Sequence, residues 1–296
     1  MLFNHGAGQR ASLGALRQTL ARAGHELVRV IEDKADVERL ANPPAELVVA
    51  AGGDGTISAV ARALAGTGVP LAILPLGTAN NIAFTLGIDG PDDQLAASWH
   101  TAQPQPLDLG SLRGDWGTRR FVEGAGGGLV EACMRAIRLR PVPSDEPATW
   151  QVVRALRRYT DTLDRLAPLP WVYSVDGSRR TGEFLLVEVL NMRAVGPNLE
   201  FAPGADPGDG RLAVVAAGDE HREVVASYLA DRLSGRESVL KLPVESATHV
   251  EILTPHPLHV DDALLDSSAG PISIDVEASA LTVLLPAPTD RRRPAS

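Results

Sequence analysis

The sequence predicts a mixed α/β chain, a Rossmann-like three-layer N-terminal domain followed by a β-rich, sandwich-like second domain. Two patterns lead there. From Met1 to about Gln105, short apolar runs alternate with stretches of helical periodicity, as in a parallel sheet flanked by helices. From Pro106 onward, β-type runs separated by Gly, Pro and Asp turns dominate. The length agrees: 296 residues suggest two domains at ~100–200 each, and 44% hydrophobic residues can build a core in both. Domains are expected at 1–105 and 106–290, with a disordered tail at 291–296.

In the first domain the candidate strands are Met1–Phe3, Glu26–Ile31, Glu46–Ala51 and Pro70–Leu74. Gln9–Ala23 places Leu13, Leu16 and Leu20 on one helix face, with Gly24 as C-cap. Ile57, Val60, Ala61 and Leu64 repeat that periodicity after the Gly52–Gly55 cluster. The first strand is short for a central parallel strand, which usually runs ~5–6 residues, so the true start is expected upstream. In the second domain strands are expected at Leu107–Leu112, Arg119–Glu123, Trp171–Val175, Glu183–Leu190, Arg211–Ala216, Thr248–Leu253, Pro271–Val276 and Leu281–Leu285. Amphipathic helices are expected at Thr149–Leu166 and His221–Leu233.

Composition narrows the function. Lys+Arg number 28 against 37 Asp+Glu, a net charge of −9, so no basic surface is indicated for a nucleic-acid backbone. A single cysteine, Cys133, excludes an internal disulfide and a cysteine zinc site, and reads as a small core side chain. No run approaches ~18 apolar residues, and no signal-peptide pattern opens the chain. A cytoplasmic protein is expected.

Three polar, glycine-rich turns follow predicted parallel strands, at the sheet edge where open α/β folds bind ligands. They are Asn4-His5-Gly6-Ala7-Gly8, Gly52-Gly53-Asp54-Gly55-Thr56 and Pro75-Leu76-Gly77-Thr78-Ala79-Asn80-Asn81. Glycine lets the backbone approach a ligand, so that successive N–H groups can face phosphate oxygens at a helix N-terminus. Thr56 and Thr78 can donate hydroxyls, and Asp54 can hold Mg²⁺ or orient its loop. A polyphosphate nucleotide suits such a cradle. Gly6 and Gly8 alone could be ordinary turn residues, and Thr78 or Asn80 could simply cap a helix. Gly6-x-Gly8-x-x-Ala11 with Glu32 and Asp33 also loosely fits a dinucleotide fingerprint, the mark of an NAD(P)-binding oxidoreductase, but that leaves the second and third loops unexplained.

Gly52-Gly53-Asp54-Gly55-Thr56-Ile57-Ser58, followed about twenty residues on by Pro75–Ala83, resembles the diacylglycerol kinase catalytic family, which includes bacterial lipid kinases and sphingosine kinases. Asn4–Gly8 stands where that family has an Asn-Pro-x-Ser-Gly turn. The resemblance implies ATP and Mg²⁺, with nucleotide contacts from Asn4, Gly6, Gly8, Gly52, Gly53, Asp54, Gly55, Thr56, Ser58, Gly77, Thr78 and Asn80. Pro203–Leu212 is similar to the family's Asp-Gly-x-Leu segment, which implies a structural Mg²⁺ on Asp209; a plain β-turn is the equal alternative.

Val260-Asp261-Asp262-Ala263 stands where the family has Asp-Gly-Glu, the source of its catalytic carboxylates. Ala263 replaces the glutamate often assigned as proton acceptor, so the base role passes to Asp261 or Asp262, or activity is reduced. The implied reaction is transfer of the γ-phosphoryl group of ATP to a lipid alcohol, and a nucleotide-binding regulator without catalysis is the other outcome. Transient membrane-surface contact is expected from Thr149–Leu166, with Val153, Leu156 and Leu163 opposite Arg154, Arg157, Arg158 and Arg165, or from Arg291-Arg292-Arg293. A helix packed on the sandwich with a solvated charged face is the simpler reading of Thr149–Leu166.

Overall fold

The computed structural model describes residues 1–3, 12–40, 43–139 and 147–286. In chain order the elements are β1 (Leu2–Phe3), α1 (Leu13–Arg22), β2 (Val48–Gly52), α2 (Asp54–Leu64), β3 (Leu71–Pro75), α3 (Asn81–Thr85), α4 (Asp92–Ser98), β4 (Gln103–Gly114), β5 (Gly117–Phe121) and β6 (Gly124–Gly128). There follow α5 (Leu129–Leu139), α6 (Ala148–Leu163), β7 (Leu169–Val175), β8 (Ser178–Phe184), β9 (Leu186–Leu190), β10 (Leu212–Ala217), α7 (Arg222–Leu233), β11 (Val244–Ala247), β12 (His249–Leu253), β13 (Leu258–Val260), β14 (Ala263–Leu265) and β15 (Ile272–Leu285).

The N-terminal part is α/β. Strands β1, β2 and β3 pair in parallel, and β2 is buried along its whole length, as expected of a strand covered on both faces. Helix α1 starts at Ser12, whose hydroxyl accepts from Ala15 N, and ends before Gly24 at φ +84°. The expected strand Glu26–Ile31 shrinks to one parallel bridge, Leu2 with Ile31. The reason is its partner: β1 has two residues, so the ladder closes with Phe3 N donating to Ile31 O and Ile31 N to Met1 O, and Val28 stays 61% exposed.

The C-terminal part is β-sandwich-like. Among the described residues, six strands form an antiparallel sheet in the order β11-β10-β9-β6-β13-β14. It faces the half of the other sheet built by β4, β5, β7, β8, β12 and β15, with Trp171, Phe121 and Val187 between them. The two strands expected at Pro271–Val276 and Leu281–Leu285 are one, β15, bulged between Glu277 and Leu281. This strand joins the two halves, pairing with β12 at Ile272–Asp275 and with β3 at Val283. Conversely, the run Glu183–Leu190 is two strands: β8 closes a hairpin with β7, and the chain crosses at Leu185 to enter the other sheet as β9.

Sequence periodicity misses β6, whose residues Gly124–Gly128 carry no apolar side chain beyond Ala125. Glycine is required there because a Cβ on Gly126 would meet Val187 O and the Glu188 carboxylate of β9. On α6, Leu156, Tyr159 and Leu163 are buried with residues of α5 and α7. Its apolar face is thus occupied by the core rather than offered to a membrane. The basic tail at 291–293 lies outside the described residues. Among the described residues no helix is long and apolar enough to cross a membrane.

Candidate active site

The second and third glycine loops meet at the C-terminal ends of β2 and β3. Leu76 N donates to Gly52 O at 3.0 Å. Gly53 and Gly77 stand backbone to backbone: a Cβ on Gly53 would lie 3.0 Å from Gly77 Cα, and one on Gly77 would overlap Gly53 Cα. Asp54 opens α2, and its Oδ1 accepts from Ile82 N at 3.0 Å, which stitches the second loop to the start of α3. Asn80 adopts φ +54°; its Oδ1 accepts from Gly77 N at 2.9 Å and its Nδ2 donates to Gly77 O at 3.0 Å. Its side chain shapes the loop from within. Thr78 Oγ1 donates to Gln151 Oε1 at 3.0 Å and so ties the loop to α6.

Other expected site residues lie elsewhere. Thr56 and Ser58 are buried (1% and 0% exposed) in the first turns of α2, which begins at Asp54. Thr56 packs onto Gly52, where a Cβ would strike its side chain. Their hydroxyls face the interior rather than solvent. Asn4, Gly6 and Gly8 fall outside the described residues, as does most of the dinucleotide fingerprint; its Asp33 accepts from Ala35 N at 2.9 Å in a local turn. Asp209 accepts from Arg211 N at 2.8 Å inside a turn anchored on buried Asp108, whose carboxylate accepts from Gly210 N and Ser279 N. Asp209 does not line the cavity beside Asp54. No group of three or more His, Cys, Asp or Glu side chains among the described residues is placed to hold a metal ion.

That cavity, about 210 Å³, opens between the glycine loops and the second sheet. Its lining combines Asp54, Asn81, Glu123, Asp261 and Asp262 with Val130, Met134, Tyr159 and Val195. Asp261 sits at φ +47° with its carboxylate fully engaged. It accepts from Val122 N (3.1 Å), Glu123 N (2.8 Å) and Gly124 N (3.4 Å), and pairs with Arg62 of α2 at 2.5 Å. Burial raises its pKa, and the Arg62 guanidinium opposes that. Asp262 is different: its Oδ2 lies 2.8 Å, and Lys34 Nζ 3.0 Å, from where a Cβ of Gly55 would stand. Ala263 is exposed and lines a separate groove with Arg62, Arg119 and Arg120.

Sequence reasoning misses Glu123, His259 and Glu188 here, and names Asn81 only as the end of the third loop. Glu123, between β5 and β6, lines the cavity with its Oε1 buried and unpartnered. Burial first, then the charges of Asp54 and Asp261, push its pKa well above the ordinary 4.5. Asn81 Nδ2 donates to Gly196 O at 2.9 Å while its Oδ1 is unpartnered. His259 and Glu188, both buried, pair at 2.8 Å beneath the cavity. A charged residue inside the otherwise small and apolar run Phe121–Leu129 was the available signal for Glu123. The His259–Glu188 pair had none, since 71 residues separate its members.

Comparison with known proteins places the family and the fold. The diacylglycerol kinase catalytic domain family matches residues 1–112, and the YegS C-terminal NAD kinase beta sandwich-like domain matches residues 135–285. A diacylglycerol kinase of Mycobacterium tuberculosis is 30% identical over 240 residues, covering 75% of this chain and 72% of that protein. A "Probable lipid kinase YegS-like" of Xanthomonas euvesicatoria is 30% identical over 257 residues, covering 81% of this chain and 80% of that protein. The crystal structure of a diacylglycerol kinase from Bacillus anthracis str. Sterne shares the fold with a TM-score of 0.70 at 20% identity, over 96% of this chain and 95% of that one. Two domain matches in sequence order and relatives aligned across most of their length lead to one assignment: this chain belongs to the diacylglycerol kinase family of lipid kinases.

Proposed function

We propose that the protein transfers the γ-phosphoryl group of ATP to the hydroxyl of a diacylglycerol-like or other lipid alcohol. The observation that carries the reading is the apposition of Gly53 and Gly77 next to Asp54, which lines a cavity of acidic and apolar residues. Backbone N–H groups of Gly53, Gly55 and Thr78 would face the phosphates, where the N-terminus of α2 adds its positive end, while Gly77 N stays bound to Asn80 Oδ1. Two glycines that admit no Cβ between them fit a polyphosphate drawn close to the main chain.

Mg²⁺ is commonly held by one or two carboxylates plus substrate phosphates, and Asp262 with the second oxygen of Asp54 would supply them here. When bound it neutralises charge on the phosphate oxygens. Asp209, the expected holder of a structural Mg²⁺, stands outside the cavity in a turn of its own, where its Oδ1 accepts from Arg211 N. Val130, Met134, Tyr159 and Val195 would receive the apolar neighbourhood of the alcohol. Contact with a membrane would fall to exposed Trp150 (59%) and Leu139 (79%), at the facing ends of α6 and α5.

The test is incubation with γ-labelled ATP, Mg²⁺ and vesicles carrying diacylglycerol or a total lipid extract, followed by identification of labelled lipid. Label on a lipid alcohol supports the reading. Nucleotide binding without transfer to any alcohol would leave the regulator in its place.

A further inference from the structure

We propose that Glu123 is the proton acceptor for the attacking hydroxyl, filling from the β5–β6 corner the role for which Ala263 offers no carboxylate; this rests on the lipid kinase reading. Each carboxylate near the cavity has a different share of its oxygens committed. Asp261 spends both on Val122, Glu123 and Gly124 N–H groups and on Arg62. Asp54 Oδ1 is held by Ile82 N. Glu123 Oε1 is buried, lines the cavity and makes no hydrogen bond of its own, while Asn81 of α3 hydrogen-bonds the same carboxyl group.

A buried acceptor left unmade costs ~1–3 kcal/mol, and such groups in native structures call for an explanation. Here the apolar side chains of the cavity lining provide one, since an alcohol lying against them can direct its O–H at Oε1. The main chain of Glu123 is fixed from both sides: its N–H donates to Asp261, and its carbonyl accepts from Asn191 N (2.9 Å) and Met192 N (3.2 Å). Glu123 also lies at a position that neither family match covers, between 112 and 135.

In the step, the alcohol O–H bond breaks and its proton passes to Glu123 Oε1. The alcohol oxygen bonds the γ-phosphorus while the bridging P–O bond breaks, its electron pair leaving on ADP. The Glu123 carboxyl then returns its proton to water. The groups that set its proton affinity are Asp54 of α2, Asn81 of α3, Tyr159 of α6, His259 of β13, and Asp261 and Asp262 beyond it. Burial and the neighbouring negative charges hold the proton on Glu123 more tightly than on a free carboxyl, and the hydrogen bond from Asn81 opposes them.

The experiment compares wild type, Glu123→Gln, Glu123→Asp and Asp262→Asn in the full chain. We expect Glu123→Gln to lower kcat ~10²–10⁴-fold, with affinity for a non-hydrolysable ATP analogue and Mg²⁺, read by calorimetry, within about threefold of wild type. The acid limb of the kcat–pH profile should vanish in Glu123→Gln and persist in Asp262→Asn. Should Glu123→Gln fail to fold, Glu123→Asp carries the test: a shortened carboxylate should lower kcat and keep the acid limb. Unchanged turnover in either Glu123 variant, or loss of the acid limb in Asp262→Asn alone, would overturn the assignment while leaving the kinase standing. A wild type that phosphorylates no alcohol would overturn both.

Discussion

The paired glycine loops and the cavity floor are neighbours built in opposite ways. In the loops, residues close in sequence determine the geometry: Asn80 grips Gly77 three residues away, and Gly53 and Gly77 exclude any side chain between them. In the floor, Arg62 and Asp261 are 199 residues apart, and Asp261 binds N–H groups from residues 122–124. The contrast separates two kinds of polar work. Loop residues shape a surface for a ligand, while floor residues hold β5, β6, β13 and α2 together, so that Asp261 acts as a strut.

Breaking the strut should have the largest effect. Arg62→Ala leaves the Asp261 carboxylate, 1% exposed, without its cation. Removing one member of a buried pair costs ~3–5 kcal/mol, and the N–H groups on Asp261 place this case at the low end. At ~2–4 °C per kcal/mol, thermal unfolding should shift down by roughly 10 °C. An unchanged melting curve would deny Asp261 its structural role.

Breaking the loops should be milder on the fold and specific to the ligand. Gly77→Val puts a side chain against Gly53 Cα, and overpacking costs ~1–3 kcal/mol. The shifted loop should also bind Mg²⁺–ATP at least about tenfold more weakly by calorimetry, with a smaller change in melting temperature than Arg62→Ala. Equal loss of stability in both variants would erase the distinction between loop and floor.

The pH dependence of stability sharpens it further. Asp54, Glu123, Glu188, Asp261 and His259 all have raised pKa values; burial is the first cause for the four acids, and for His259 burial, the largest single effect, lowers it but is overcome by Glu188 and Asp261 together. A group that binds its proton more tightly when folded contributes stability below its unfolded pKa, and that contribution is lost as pH rises through the folded value. Stability should therefore fall as pH climbs above 3.8–4.5 for the acids and above 6.5 for His259. Asp176 and Asp275, whose pKa values are lowered, act oppositely below 3.8. Urea unfolding at about pH 5 and pH 8 reads the slope, and Glu188→Gln should flatten part of it.

This division explains what could be read in advance. Gly52–Thr56 and Gly77–Asn81 announce themselves because their chemistry lies in consecutive backbone groups, which a linear pattern records. Asp261 is visible as a carboxylate but not as a strut, since nothing near it in sequence names Arg62 or residues 122–124. Strand β6 is silent because glycine gives no hydrophobic period, although that absence of side chains lets it approach β9. The short β1 shows the same limit, its length deciding how much of residues 26–31 can pair.

Cys133 offers the smallest effect and a check on how tightly the helical layer closes over the second sheet. It is a fully buried residue of α5 in the core shared with α6 and α7, and burial pushes its thiol up to about 12. The thiolate is the reactive form, so the native protein at about pH 8 should resist iodoacetamide and react fully once unfolded in urea. Cys133→Ala removes one sulfur from that core, which costs about 1 kcal/mol, a shift of a few degrees that leaves the loops untouched. Rapid labelling of the folded chain would mean that α5 and α6 part readily, and with them Val130, Met134 and Tyr159 of the cavity lining. Slow labelling fits a wall that holds its shape until a substrate arrives.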